Sequence, residues 1–329
     1  MPSRQTHMNV HDLIDELYAA FAEQLGDPIG ARAKDLPREL KLAPEPDVPW
    51  SRVFSHEVTL GAPAVFAEAM PGVPSSVVRE ATLVHLLAVV DAFGTDRVED
   101  EQIDFSPGVL AVLGHLRRER DRAMARLFRG APPADLQFSA ADALTMRAIH
   151  RERATLLSAR SVDVAFYERA SLDKQCAGLL ASVALARVAG WDRRRCVAVR
   201  KTLESVALGL QIYDDVVDWE DDLRRGGSWA VCLMMGERRP SVAGDRGPEG
   251  KGIRIQVLQS GVLGTMLHCA LAHMRAARRR AAALGAFRLA AWAASRERRL
   301  ETLVTAERRS AGYAVRAHAL AAWAGEVLA

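Results

Sequence analysis

Apolar residues recur along most of this chain three and four positions apart, the period of a helix with one buried face, and alternation at a period of two is not sustained. A short stretch from Arg52 to Leu60 is the one candidate strand. Prolines mark the interruptions: they cluster from Pro28 to Pro49, Pro63 to Pro74, Pro132–Pro133 and Pro240 to Pro248. None falls between Ala134 and Arg239 or after Glu249, so those zones read as long helices. The pattern predicts helices near 9–25, 75–93, 107–129, 138–158, 160–189, 192–225, 253–284, 286–309 and 313–328, with a restart expected near Ser171–Leu172–Asp173. Residues 1–74 form a lead-in of one helix and a proline-rich segment. Residues 226–252, rich in Gly, Pro and Arg toward their end, read either as a lid loop or as a disordered insertion. The fold class is all-α, in one domain spanning 1–329.

Polar residues inside this pattern carry the chemistry. Val206 to Leu210 is apolar on every side, and into the same helix the sequence places Asp214, Asp215, Asp218 and Asp222. At about 100° per residue these four carboxylates and Gln211 share an arc of roughly 100°. Carboxylates so confined repel one another unless a cation sits among them, and hard oxygen ligands suit Mg²⁺. Glu220 and Asp221 precede Arg224 and Arg225 by four residues, the spacing of ordinary surface ion pairs. A second acidic region lies earlier. Ala81 to Phe93 is apolar on all faces except at His85 and Asp91, and Asp96, Glu99, Asp100, Glu101 and Asp104 follow. Burial alone would leave Asp91 a neutral acid, whereas a shared metal would keep it ionised. Lys174 stands alone in an apolar helical stretch and is a candidate phosphate ligand.

Composition narrows the class. With 329 residues, 49% of them hydrophobic, the chain can bury a large core. A net charge of +3 is too small to argue for nucleic acid or for an anionic membrane surface. The four cysteines form no C-x-x-C pair and fit reduced core thiols. No signal peptide and no apolar run of membrane-spanning length is evident, so a cytoplasmic protein without a stable membrane anchor is expected. Two acidic clusters on buried helices, facing one another across a helical cavity, are suited to holding Mg²⁺ ions that grip a diphosphate while a carbon–oxygen bond breaks.

The residues also resemble a family. GLQIYDDVVDWEDDLRRG, from Gly209, is similar to the second aspartate-rich motif of class I isoprenoid enzymes, joining the Q-x-x-D-D-x-x-D core of trans-prenyl diphosphate synthases to an E-D-x-x-R-G ending. KQCAGLL at Lys174 is similar to the K-T-x-x-L segment one helix earlier in prenyl synthases. The resemblance implies a helical bundle of the class I terpenoid synthase type with a central active-site cavity. It implies Mg²⁺, as three ions, bound by Asp91, Asp96, Asp214, Asp215, Asp218 and Asp222, with Asp91, Asp214 and Asp218 the catalytic set, and diphosphate contacts from Lys174, Gln211 and Arg225. The implied partner is an isoprenyl diphosphate of C10–C20, and a homodimer is compatible with the fold.

Departures from the family pattern choose between branches. The first region offers Asp91 and Asp96 where prenyl synthases carry D-D-x-x-D, and GARAKDLPREL, with Arg32, Lys34 and Arg38, does not match the G-K-x-x-R-P of an isopentenyl diphosphate site. A single-substrate terpene synthase that ionises and cyclises a linear isoprenyl diphosphate is therefore the first expectation. A prenyltransferase, by elongation or head-to-head condensation, is the alternative, and a non-catalytic partner subunit is the third. Tyr213, Trp219, Phe93, Phe166, Tyr167, Trp292 and Tyr313 are candidate cavity walls, although most aromatic residues at helical spacing serve a plain core.

Overall fold

The computed structural model describes residues 9–54, 56–237 and 251–327, with side chains up to residue 309. Every regular element among them is helical. The first helix, α1 (Val10–Leu25), opens with the Asn9 side chain accepting from the His11 N–H at 3.1 Å and buries Leu13, Ile14, Leu17 and Phe21 along one stripe. Three short helices follow: α2 (Ile29–Lys34), α3 (Leu36–Glu39) and α4 (Trp50–Val53). They occupy the segment that prolines had marked as a lead-in. The expected strand at Arg52 to Leu60 is instead the end of α4 and the start of α5 (Glu57–Phe66). Trp50 is buried against Tyr18, ring centroids 5.5 Å apart, and this packing turns the chain back onto α1 rather than into a sheet.

The long helices come next. They are α6 (Ser75–Glu99), α7 (Pro107–Leu127), α8 (Phe138–Leu157), α9 (Val164–Val188) and α10 (Arg193–Val217). Helix α9 runs unbroken through Ser171–Leu172–Asp173, so the expected restart is absent: a continuous helix leaves no orphan N–H there for a cap to satisfy. The predicted helix 192–225 divides at Asp218 into α10 and α11 (Trp219–Arg225), and Gly226, with φ 143°, ends α11. Helix α12 (Trp229–Glu237) occupies the first part of the segment expected to be a lid; residues 238–250 lie outside the described residues. A second division, at Gly261 with φ 74°, separates α13 (Lys251–Ser260) from α14 (Val262–Leu284). The last two predicted helices are one, α15 (Phe287–Val327).

The described chain divides into two compact units, the first within Met1–Ile149, Lys174–Leu203 and Arg280–Ala290, the second within His150–Asp173, Glu204–Arg279 and Ala291–Ala329. In the first, α6 is buried on nearly all sides, as its apolar sequence predicts, and packs along α7 and α5. In the second, Trp229, Ala230, Cys232, Leu233, Met266 and Met274 lie in one apolar core. No single helix among the described residues is long and apolar enough to cross a membrane.

Charge also helps hold the first unit together. The Arg120 side chain on α7 is 1% exposed, lies 2.7 Å from Asp142 of α8, reaches Asp91 of α6 at 3.5 Å and covers the Phe138 ring at 3.9 Å. A guanidinium so buried holds its place only because carboxylates and a ring face replace water. Arg120→Ala should therefore cost about 3–5 kcal/mol, because it empties a buried site and takes a cation from buried Asp91 and half-buried Asp142. Arg122→Ala, 71% exposed beside Glu119, should cost less than about 1 kcal/mol. Urea denaturation midpoints of the two variants check this.

Candidate active site

Within the first unit, α6 positions Asp91 and Asp96. The Asp91 carboxyl is buried, and Arg117 Nε lies 3.0 Å from each of its oxygens while Arg120 approaches to 3.5 Å. Burial pushes this acid upward, and the two guanidiniums pull it back. Asp91 was expected to be kept ionised by a metal; the arginines of α7 supply that positive charge directly. Sequence reading missed them because Arg117 and Arg120 sit in a run, LRRERDR, that looks like an ordinary charged surface. Four residues on from Asp91 stands Thr95, which accepts from Arg117 at 2.8 Å. Asp96 lies 2.8 Å from Lys174 Nζ of α9, both side chains about four-fifths buried. An expected metal ligand and an expected diphosphate ligand are thus paired with each other.

Within the second unit, Gln211, Asp214 and Asp215 end α10, Asp218 is the junction and Asp222 lies in α11. Asp218 adopts φ −100°, ψ 6°, and still the Asp218 N–H donates to the Asp214 carbonyl and the Asp222 N–H to the Asp218 carbonyl, each at 2.9 Å. Helical spacing therefore passes through the break, and Asp214, Asp218 and Asp222 remain successive turns of one stripe. Asp214 and Asp218 are exposed and Asp222 is half-buried. Asp222 is pushed up to about 6, by burial first and then by the neighbouring charges of Asp218 and Asp214, with Glu152 of α8 adding to them; Arg225 opposes only in part. Arg225 stands 3.9 Å from Asp222 and is itself exposed.

Asp215 differs from its neighbours. It is buried, the Tyr167 hydroxyl donates to one of its oxygens, and Gln211 Nε2 donates to the other at 3.0 Å. Gln211, expected to touch diphosphate, and Tyr167, expected to line a cavity, both hold this carboxylate. Burial and the Asp215 charge keep the Tyr167 phenol far above its ordinary value, so it is a hydrogen-bond donor at any working pH. Glu152, which no motif marked, accepts from Trp229 Nε1 at 3.1 Å and adds negative potential to both Asp222 and Tyr167. Glu220 and Asp221 do pair with arginines, Glu220 with Arg254 at 3.0 Å and Asp221 with Arg224. Of the proposed cavity aromatics, Trp219 belongs to the buried core, Phe93 packs on Phe54 at 4.7 Å, and Phe166 and Tyr167 lie against Trp229. The side chain of Tyr313 lies outside the described residues.

The donor chemistry of Asp214, Asp218 and Asp222 suits a hard divalent cation: all are carboxylates, and one is pushed up to about 6 by burial and then by the charges of the other two. Their side chains have not converged, however. Among the described residues no three His, Cys, Asp or Glu side chains approach closely enough to hold a metal ion.

No family model matches the chain, and no curated protein matches it in sequence. Its fold does match solved structures. A polyprenyl synthetase from Streptomyces coelicolor aligns with a TM-score of 0.66 and 16% identity over 87% of this chain and 97% of that one. A geranylgeranyl pyrophosphate synthetase from the archaeon Geoglobus acetivorans aligns at 0.58 and 13% identity, over 88% and 98%. A polyprenyl synthase from Caulobacter crescentus, complexed with calcium and isoprenyl diphosphate, aligns at 0.50 and 18% identity, over 89% and 99%. The chain is thus an all-α protein with the prenyl synthase fold.

The raised Asp222 gives a test of cation binding. An unfolded aspartate titrates near 3.9, roughly two units below the folded value, so the folded protein gains stability from protonating Asp222, in full below about pH 4 and lost as pH rises through about 6. Mg²⁺ should supply at neutral pH the positive charge that the proton supplies in acid. Adding Mg²⁺ at pH 7.5 should raise Tm by roughly 2–4 °C and at pH 5 by less. Asp222→Asn should be the more stable chain without Mg²⁺ at pH 7.5 and should show little of the Mg²⁺ effect. Differential scanning calorimetry of both proteins at the two pH values measures it.

Proposed function

We propose that this protein is a Mg²⁺-dependent enzyme acting on isoprenyl diphosphates, and that it transfers an isoprenyl group to a second substrate. The observation that carries the reading is the stripe of Asp214, Asp218 and Asp222, which keeps its turn-by-turn spacing across the α10–α11 break on a prenyl synthase fold. Prenyl transfer is preferred to cyclisation because the solved proteins sharing the fold are named as polyprenyl and geranylgeranyl synthases, and one of them carries isoprenyl diphosphate. The expectation of a cyclase rests on departures from the family's sequence pattern alone.

In this reading Asp214, Asp218 and Asp222 are the metal-binding carboxylates. Bound Mg²⁺, three ions by the family resemblance, would offset the negative charge that builds on a departing diphosphate. Asp215 holds its place between Tyr167 and Gln211 and fixes the end of α10 beneath the stripe. Arg225, exposed and 3.9 Å from Asp222, is the cation of this unit placed to meet a diphosphate, while Lys174 is a diphosphate ligand by the family resemblance alone. Asp91 is omitted from the metal set, because Arg117 and Arg120 already balance it.

Cyclisation of a single substrate remains the second reading, favoured by one observation. Arg32 and Arg38, in the segment that stands in the sequence about where prenyl synthases carry G-K-x-x-R-P, lie against Glu39 at 3.3 Å and Asp35 at 2.9 Å. Incubating the protein with Mg²⁺ and ten-, fifteen- or twenty-carbon allylic diphosphates, with and without isopentenyl diphosphate, separates the two. A lengthened prenyl diphosphate that forms only with isopentenyl diphosphate is the expected product. A hydrocarbon or alcohol of unchanged carbon number would move the assignment to a cyclase, and no diphosphate release under any condition would leave a non-catalytic partner subunit.

Asp218→Asn should lower turnover by about 10²–10³-fold at saturating Mg²⁺, the scale of several kcal/mol of lost charge stabilisation. Asp221→Asn, paired outside the stripe with Arg224, should leave it within about twofold. Diphosphate-release kinetics compare them, and equal rates for the two variants would remove the stripe from the mechanism.

A further inference from the structure

The start of α10 is built against its own dipole. Arg193, Arg194 and Arg195 fill the first turn, where the partial positive charge of a helix favours acids, and no acid stands among them. Asp192 precedes them, but its carboxylate is used as the cap, accepting from the Arg195 N–H at 2.8 Å. Arg193, Arg194, Val197, Arg200 and Lys201 then recur on one exposed face, while Cys196, Val199, Thr202 and Leu203 face the core. Arg280 joins this face from the end of α14, its guanidinium donating to the Lys201 carbonyl at 3.3 Å. Glu204, buried, follows Arg200 by four residues and Lys201 by three on the same side of α10. Even against Asp192 and Glu204 these six cations give a local excess larger than the +3 of the whole chain, so the remainder is net negative and the positive charge is gathered here.

Apolar surface is interleaved with the cations. Val197, in the middle of the stripe, is 50% exposed, and Val188, at the end of α9, is 37% exposed. Trp191 is half-buried in the turn between the two helices, with the Arg195 guanidinium 5.0 Å over its ring. We propose that this face, the α9–α10 turn with the first two turns of α10, docks on an anionic lipid bilayer. Cations with stems long enough to reach headgroups, set around small aliphatic side chains and an indole, match the interface between headgroups and acyl chains. A nucleic acid is matched less well: Arg195 covers the indole that would stack on a base, and aliphatic Val188 and Val197 lie among the cations. The inference is independent of the proposed enzymatic reading, and it describes surface attachment rather than insertion.

Flotation of the purified full chain with phosphatidylcholine vesicles, with and without phosphatidylglycerol, tests it. Binding is expected only to the phosphatidylglycerol vesicles, and raising the salt should release it. Each cation at such a surface is worth about fivefold in partitioning, so Arg193→Gln with Arg194→Gln should weaken binding about thirtyfold. Arg118→Gln with Arg122→Gln, an equal loss of charge at two exposed positions on α7, should change it less than about twofold. Val197→Ser should weaken binding several-fold without altering the salt dependence. Equal binding to both vesicle types, no binding to either, or equal weakening by the α7 pair would overturn the proposal. Binding of a single-stranded RNA oligonucleotide that is lost in the Arg193/Arg194 variant, in the absence of vesicle binding, would reassign the surface to nucleic acid.

Discussion

A carboxylate taken out of water must be balanced, and the way each acid on these helices is balanced organises the molecule. Asp91 is met by two guanidiniums, Asp96 by an ammonium, and Asp215 by a phenol and an amide. Asp222 has Arg225 at 3.9 Å, and burial followed by the charges of Asp218 and Asp214 raises it to about 6. Balanced acids fix helices in place, because breaking a buried pair strands a charge at a cost of several kcal/mol. Acids left in mutual repulsion carry a standing demand for a cation. The same residue type thus serves architecture on α6 and chemistry at the end of α10.

Helix geometry sustains that division. The break at Asp218 costs no backbone hydrogen bond along the stripe, since the N–H groups of Asp218 and Asp222 each find the carbonyl four residues back. A junction residue near φ −100°, ψ 6° lies in a sparsely populated region, and such positions recur where side chains must be aimed. Below the stripe, Asp215 is locked from two directions, so the exposed carboxylates stand on a fixed base. The raised Tyr167 phenol stays a donor to that carboxylate at any working pH. Rigidity beneath and exposed acids above is the arrangement expected of a site that gathers metal together with its substrate.

The basic face of α10 shows why a whole-chain charge misleads. A net +3 averages a concentrated cationic surface with an acidic remainder, and electrostatic attraction to a membrane falls off within a Debye length. Local density, not the total, decides whether such a surface binds. Its existence at a helix start, where cations are disfavoured, is a cost to folding that an external anion would offset.

Much of this was legible in the sequence. Period and proline placement gave the all-α class and the long helices, because burial of one helical face leaves its imprint at every third and fourth residue. The Asp214–Asp222 spacing gave the stripe, since a helix converts sequence interval directly into angle. The breaks at Asp218 and Gly261 and the fused α15 were not legible; apolar periodicity passes through a kink unchanged. Helices α2 to α5 were hidden by prolines that sit at helix starts or are tolerated inside a short kinked one. What only tertiary structure decided is which acid meets which cation. Arg117 and Arg120 reach Asp91 from 26 and 29 residues away, and Lys174 reaches Asp96 across 78. Sequence fixes the charges and the faces on which they lie, but the partner of a charge is set by which helices pack together, and no local interval encodes that.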